Sequence, residues 1–439
     1  MAKYVFAGVG VSTANDPNKA GKEAVDKAME DMRRHHDKSP VFGLVFCSGG
    51  KYGKDDKTIQ KLVDSVHSAF GGVQWAGCTT AGEISPVGAT HGSVVVMVFG
   101  GDYLRFGIGI GDRVFEQPKK AGAKAVEDAF KSLKLDVHVD AYMQYMRFRK
   151  HTTKEIIKMI PYSLIVLGKG PERGVLPGIP KIPDLEEVMD GIIETCGTQI
   201  PIVGGGSFDD WELKRNYHFV NGKVYKDAVV VVAILSNLFF STGVSHGYHP
   251  TGKVLMVNRS KRSGGSTMVS EMNDKKALDV YAEITGVPKE DIKKDPIKFG
   301  ALHPLGVFDI DGEAWIRGFG ATFMNDLIFS NKIEKNTPLQ VMEGTENEIF
   351  DAYKDAADRA LKQIGKKKLA AAIIFSCACR NKYMGEKIGK EIEIFKKAFP
   401  DTPFIGFYTF GEFGGVLGKR TGFHTQSVSI LLITDELMA

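Results

Sequence analysis

Two stretches far apart in the chain, Gly77-Cys78-Thr79-Thr80-Ala81-Gly82-Glu83 and Gly406-Phe407-Tyr408-Thr409-Phe410-Gly411-Glu412, share the pattern Gly-x-x-Thr-x-Gly-Glu. A third, Gly204-Gly205-Gly206-Ser207-Phe208-Asp209-Asp210, keeps Gly-x-x-Ser-x-x-acid. Repetition of this kind decides the fold, because one supersecondary unit is being reused. Upstream of each copy lies an apolar run, Gly43–Ser48, Ser163–Gly168 and Ala372–Cys377, and downstream lies another, Ser93–Phe99, Ala228–Leu235 and Ser427–Ile433. Ser48 precedes Gly77 by 29 residues and Ser376 precedes Gly406 by 30, which leaves room for one helix. Ile59, Leu62, Val63 and Val66, like Ile388, Ile392, Phe395 and Phe399, recur every three or four residues as a helix requires. Each unit therefore reads strand, helix, strand, turn, strand.

The first two copies are each followed by a further strand, Phe106–Gly111 and Phe240–Ser245, so the amino-terminal half reads as a tandem duplication. The third copy meets the chain end, and its counterpart strand is sought in Phe299–Val307. Between the halves, Gly252–Val257 and Thr267–Glu271 flank Gly264-Gly265, a hairpin by its turn chemistry. The expected organisation is 1–255 with two repeats, 256–275 as a hairpin connection, and 276–439 with the third repeat. The fold class is α/β, with repeated strand-helix-strand-turn-strand units forming mixed sheets flanked by helices in two modules. A proline-rich insert from Gly170 to Pro183 reads as an ordered surface loop.

The 439 residues are 43% hydrophobic, 25% charged and 10% aromatic, and include 27 Phe and 13 Tyr. That supplies the cores of about two to four domains and excludes disordered, collagen-like and disulfide-stapled chains. A net charge of +4 spread over this length argues against a nucleic-acid surface, and Lys366–Lys368 reads as a solvated helix end. The five cysteines are odd in number and form no CxxC pair, which argues against structural zinc and suits reduced thiols. No apolar run approaches the roughly 18 to 20 residues that span a bilayer. Gly8-x-Gly10 followed by Asn15-Asp16-Pro17 reads as strand and turn, not signal peptide, so a cytoplasmic location without membrane attachment is expected.

The chain resembles the FIST domain proteins (F-box and intracellular signal transduction). Ala24, Ala28, Gly43–Ser48, Ala76–Glu83, Ser93–Val98 and Gly247–Gly252 carry the likeness to the amino-terminal FIST module. Ala277–Tyr281, His303–Gly306, Arg317, Glu343-Gly344, Phe375–Arg380 and Gly406–Glu412 carry it to the carboxy-terminal one. The resemblance implies a bacterial or archaeal sensory module for small ligands such as amino acids, and in some relatives haem for nitric oxide sensing. Members are often fused to output domains, whereas these residues are used up by the sensory modules, so signalling through a partner protein is implied.

Candidate ligand-binding residues cluster at the repeat ends. Thr80 and Glu83 in the first copy, and Tyr408 and Glu412 in the third, either satisfy turn amides or touch a ligand. Arg380 follows the strand that ends at Cys377, itself a candidate ligand contact, where α/β sheets open onto ligand crevices, and its guanidinium can grip a carboxylate or close an internal ion pair, for instance with Glu412. Arg317 is a weaker case of the same kind. An amino acid would match Arg380 facing Glu412 with Tyr408 in one cleft. His246, His249 and His303 stand near prolines without a recognisable haem or metal motif, and no cofactor is assigned, although haem stays open. Cys78 and Cys377 lack a nucleophile elbow, and no catalytic residue is assigned. The Gly107-x-Gly109-x-Gly111 run lacks nucleotide-binding context. The expected function is a standalone small-ligand sensor that recognises an amino acid or similar polar metabolite. A haem-based nitric oxide sensor, an enzyme acting in the same cleft, and a protein scaffold are the alternatives, and a homo-oligomer is compatible with all of them.

Overall fold

The computed structural model describes residues 4–35, 37, 39–134, 145–152, 155–156, 159–174, 180–310, 312–365, 367–415 and 421–438. Three units share one topology. The first is β1 (Phe6–Ser12), α1 (Pro17–Arg33), β2 (Phe42–Ser48), α2 (Asp56–Phe70), β3 (Gln74–Thr80) and β4 (Val94–Gly100). The second is β5 (Leu104–Asp112), α3 (Pro118–Ser132), β6 (Tyr162–Gly168), α4 (Leu185–Cys196), β7 (Ile202–Gly206) and β8 (Ala228–Ser236). The third is β9 (Leu238–Ser245), α5 (Glu346–Ile364), β10 (Leu369–Cys377), α6 (Gly389–Ala398), β11 (Phe404–Gly415) and β12 (Val428–Leu437). In every unit the fourth strand lies between the first and the second, antiparallel to both, and the second and third pair in parallel.

The glycine that opens the repeated motif has the same task in all three units. Gly77 sits opposite Val45, Gly204 opposite Val166 and Gly406 opposite Ile374. A Cβ at these glycines would come within 1.9, 1.9 and 1.8 Å of the facing carbonyl oxygen. Only hydrogen fits, which is why the spacing survives duplication. Gly109 and Gly111 have a similar steric role, because α3 lies directly on β5 and their Cβ atoms would strike the carbonyl oxygens of Ala125 and Ala121 at 1.8 and 1.9 Å.

The inner faces of the three units share one apolar core, to which Phe46, Ile165, Val203, Phe375 and Phe407 contribute. Each outer face is covered by the unit's own helix pair and has its own core. Burial on both faces explains why these strands read as continuous apolar runs and not as alternating ones.

Two features differ from the sequence reading. The strand expected to close the second repeat, Phe240–Ser245, lies in β9, which pairs with β12 and opens the third unit, while Phe299 belongs to a short helix, Pro296–Leu302. The chain pattern is interrupted there because residues 249–343 form a separate eight-stranded sheet with its own core around Leu255, Leu278, Tyr281 and Phe319. The hairpin about Gly264-Gly265 is present within it, formed by His249–Ser263 and Ser266–Met272. In addition, the third motif copy is not a simple turn. β11 runs through it with a bulge between Phe410 and Glu412, pairing first with β10 and then with β7, so that units two and three form one sheet. Gly411, at φ 68°, supplies the left-handed residue that such a bulge needs. Part of the proline-rich insert, 175–179, and Lys366 lie outside the described residues.

Candidate functional site

The three motif copies converge on one end of the molecule. Phe407 pairs with Glu83, Gly204–Gly206 pair with Phe410–Phe413, and the Phe208 amide donates to the Thr79 carbonyl at 3.0 Å. Within the motif, the acid ties its own turn to the start of the next strand. Glu83 accepts hydrogen bonds from Thr80 Oγ1 (2.6 Å) and from the Ser93 amide (3.0 Å). Glu412 repeats this with Thr409 Oγ1 (2.6 Å) and the Ser427 amide (3.1 Å). Both carboxyls are fully buried, and burial pushes Glu83 up to about 8 and Glu412 well above the usual carboxylate range. In the second copy the acid reaches across instead, and Asp210 accepts from Ser48 Oγ (2.6 Å) and the Gly50 amide (2.8 Å). Thr80, Glu83 and Glu412 thus have their hydrogen-bonding capacity taken up inside the protein.

Arg380 does not meet Glu412. It is 1% exposed and forms an ion pair with Glu391 of α6, and it also donates to the carbonyls of Ile349 (2.6 Å) and His246 (3.2 Å). Burial pushes Glu391 up to about 7, against the pull of Arg380 and of the nearby Tyr353. Tyr408 is buried beside Tyr353 on this side of the sheet, so it accompanies Arg380 but not Glu412. Arg317 lies 3.8 Å from Glu186 at the start of α4. With Arg262, which bonds Asp184 at 2.6 Å, it helps fasten the inserted sheet to the second unit. His246 is half-buried, its Nδ1 accepts from the Tyr248 amide (2.9 Å), and desolvation pulls it down to about 4. Among the described residues no three of His, Cys, Asp and Glu come together as a metal-ligand set.

Cys377 is differently placed. It ends β10 and lines a cavity of about 260 Å³ between the motif ends of units two and three and the inserted sheet. Cys379, Thr409, Phe410 and Gly411 line it from the third unit and Phe208 and Trp211 from the second. Gln426 closes the side before β12, and Gly318–Ala321 with Ile328 form the opposite wall. Among the described residues no charged side chain lines it. Cys377 is held as a neutral thiol, since the Cys379 side chain and burial both push it well up, whereas Cys379 is partly exposed. Glu391 and Gln426 escaped the sequence reading. Glu391 reads as one more charge on an amphipathic helix, and Gln426 belongs to no periodic pattern.

Residues 41–275 match the FIST N domain and residues 277–415 the FIST C domain. An uncharacterised protein of Methanocaldococcus jannaschii is 29% identical over 183 residues, covering 38% of this chain and 35% of that protein, so the match spans about a third of the relative's length. Among solved structures, a cyanuric acid hydrolase of A. caulinodans is 9% identical over 52% of this chain and 71% of its own, with a TM-score of 0.26. PurLQS of Thermotoga maritima is 8% identical over 98% and 72%, with a TM-score of 0.20. Likenesses this low carry no argument about activity.

Proposed function

The chain belongs to the FIST family, and on that premise we propose that it is a sensory protein that takes a small metabolite into the cavity at the ends of β10 and β11 and signals through a partner protein. The family is associated with sensing and signal transduction. The observation that carries the reading is the cavity itself, which lies where strand carboxyl ends open, the usual ligand position in α/β sheets. Its walls come from two separately cored parts, the outer core of the third unit, which includes Phe208 and Ala378, and the core of the inserted sheet, which includes Phe319, so an occupant touches both and couples its presence to their relative position. The amino-acid expectation rested on Arg380 facing Glu412. Arg380 faces Glu391 instead, and a small neutral metabolite suits the uncharged lining better.

Native mass spectrometry of the purified protein tests this. A small molecule should copurify, raise the melting temperature of the stripped protein when added back, and be lost from the plugged variant Ala321→Phe. Equal binding by the plugged variant would remove the cavity from consideration.

A further inference from the structure

We propose that the cavity takes a flat, neutral ring bearing an N–H or O–H, with the ring against Phe208, Trp211 and Phe410 and the donor given to Gln426 Oε1. This rests on the placement of the sensed ligand in that cavity and adds its chemical class. The primary observation is Gln426, which lines the cavity, is 2% exposed, and has an Oε1 atom without a hydrogen-bond partner among the described residues. Its orientation is determined. Nε2 donates to the Gly300 carbonyl at 2.9 Å, and a flipped amide would set two oxygens against each other. Gly318 makes room for it, because a Cβ there would come within 1.9 Å of Nε2. A buried acceptor that the protein leaves unsatisfied is completed by a donor on the occupant.

The aromatic wall supplies the rest. Phe208 meets Trp211 at 4.9 Å and 68°, and Phe410 at 5.9 Å and 49°, which gives a ring both faces and edges to pack on. Backbone strain is stored in the same wall. Asp210, Trp211 and Leu213 all adopt positive φ (53°, 68° and 51°), and so does Gln426 at 55°. The Asp209 carboxylate holds the first three by accepting from the amides of Leu213, Lys214 and Arg215 at 2.9, 2.7 and 3.0 Å. Strain of this kind persists where surrounding bonds over-determine it, commonly at ligand clamps. The volume also fits, since an apolar cavity of about 150 Å³ accepts benzene and this one holds about 260 Å³. With no charged side chain among the described lining residues, a carboxylate would enter unpaired.

Three probes separate the elements of the proposal: indole, which has ring and donor; indene, which has the same shape without the donor; and benzoate, which has ring and charge. Occupancy is read as protection of the partly exposed Cys379 from N-ethylmaleimide, followed by mass spectrometry. Indole should protect at about tenfold lower concentration than indene, as loss of one buried hydrogen bond implies, and benzoate should not protect. Gln426→Leu should bring indole down to the level of indene, and Gly318→Ala, which displaces Gln426, should do the same if the first variant folds poorly. Equal protection by indole and indene in the unaltered protein, or protection by benzoate, overturns the ligand class. If no ring probe protects while a copurified metabolite still does and Ala321→Phe abolishes it, the class fails and the cavity reading stands.

Discussion

Replacing Arg380 separates a structural ion pair from a ligand-binding cation. Its guanidinium is buried against Glu391 and also satisfies the carbonyls of Ile349 and His246, so Arg380→Met leaves a buried carboxyl and two carbonyl oxygens without their donor. Breaking a buried pair from one side costs about 3 to 5 kcal/mol. A chain of 439 residues unfolding as a unit has an entropy of about 0.9 kcal/mol/K, so the melting temperature should fall by about 3 to 5 °C. Replacing both partners, Arg380→Met with Glu391→Leu, should recover most of that loss, because neither charge is then left buried alone. Differential scanning calorimetry of the two single variants and the double variant, without added ligand, measures this. Suppose Arg380→Met leaves the unliganded melting temperature unchanged but abolishes any ligand-induced rise. The guanidinium would then belong to the ligand site, and the structural assignment would be wrong.

Two further outcomes follow from the buried motif. Because Glu83 is raised to about 8 and Glu412 is also raised, each above an ordinary value of 4.5, the folded state holds their protons more tightly than the unfolded state does. Their contribution is complete below about pH 4.5 and is lost as pH rises through about 8, so melting temperature should decline from pH 5 to pH 9 with a shallower slope in Glu83→Gln; a flat profile would contradict the assignment. Gly77→Ala and Gly406→Ala should each cost about 1 to 3 kcal/mol or more by forcing parallel strands apart, whereas Gly320→Ala, whose Cβ meets nothing within 4 Å, should be nearly neutral in denaturant titrations.

The repeated unit was legible in the sequence because its requirements are local. Gly77, Gly204 and Gly406 need hydrogen at one register position, and the flanking runs need apolar side chains on both faces, so each requirement leaves a residue-level trace. The start of the third unit was not legible. β9 and α5 are separated by residues 249–343, and sequence spacing cannot reveal that Phe240 pairs with Ile433. Cys377 at a strand end could be picked out, whereas Glu391 and Gln426 could not. What distinguishes those two is a partner from elsewhere in the chain, Arg380 for one and the Gly300 carbonyl for the other.

Comparison of equivalent positions separates what folds the unit from what serves one site. A residue needed by every copy is retained in every copy, as the motif glycine is; a residue needed by a single site differs among them. One position after the motif Thr or Ser stand Ala81, Phe208 and Phe410. The two phenylalanines line the cavity, while Ala81, whose amide donates to the Tyr408 carbonyl at 3.2 Å, does not. Three positions beyond the strand residue facing the motif glycine stand Ser48, Lys169 and Cys377. Ser48 is engaged by Asp210 and Lys169 by Glu172, both inside the protein, and Cys377 alone of the three lines the cavity. The symmetry therefore breaks where units two and three meet the inserted sheet, and the specificity of the proposed ligand site is to be sought in those departures, not in the repeated Thr and Glu.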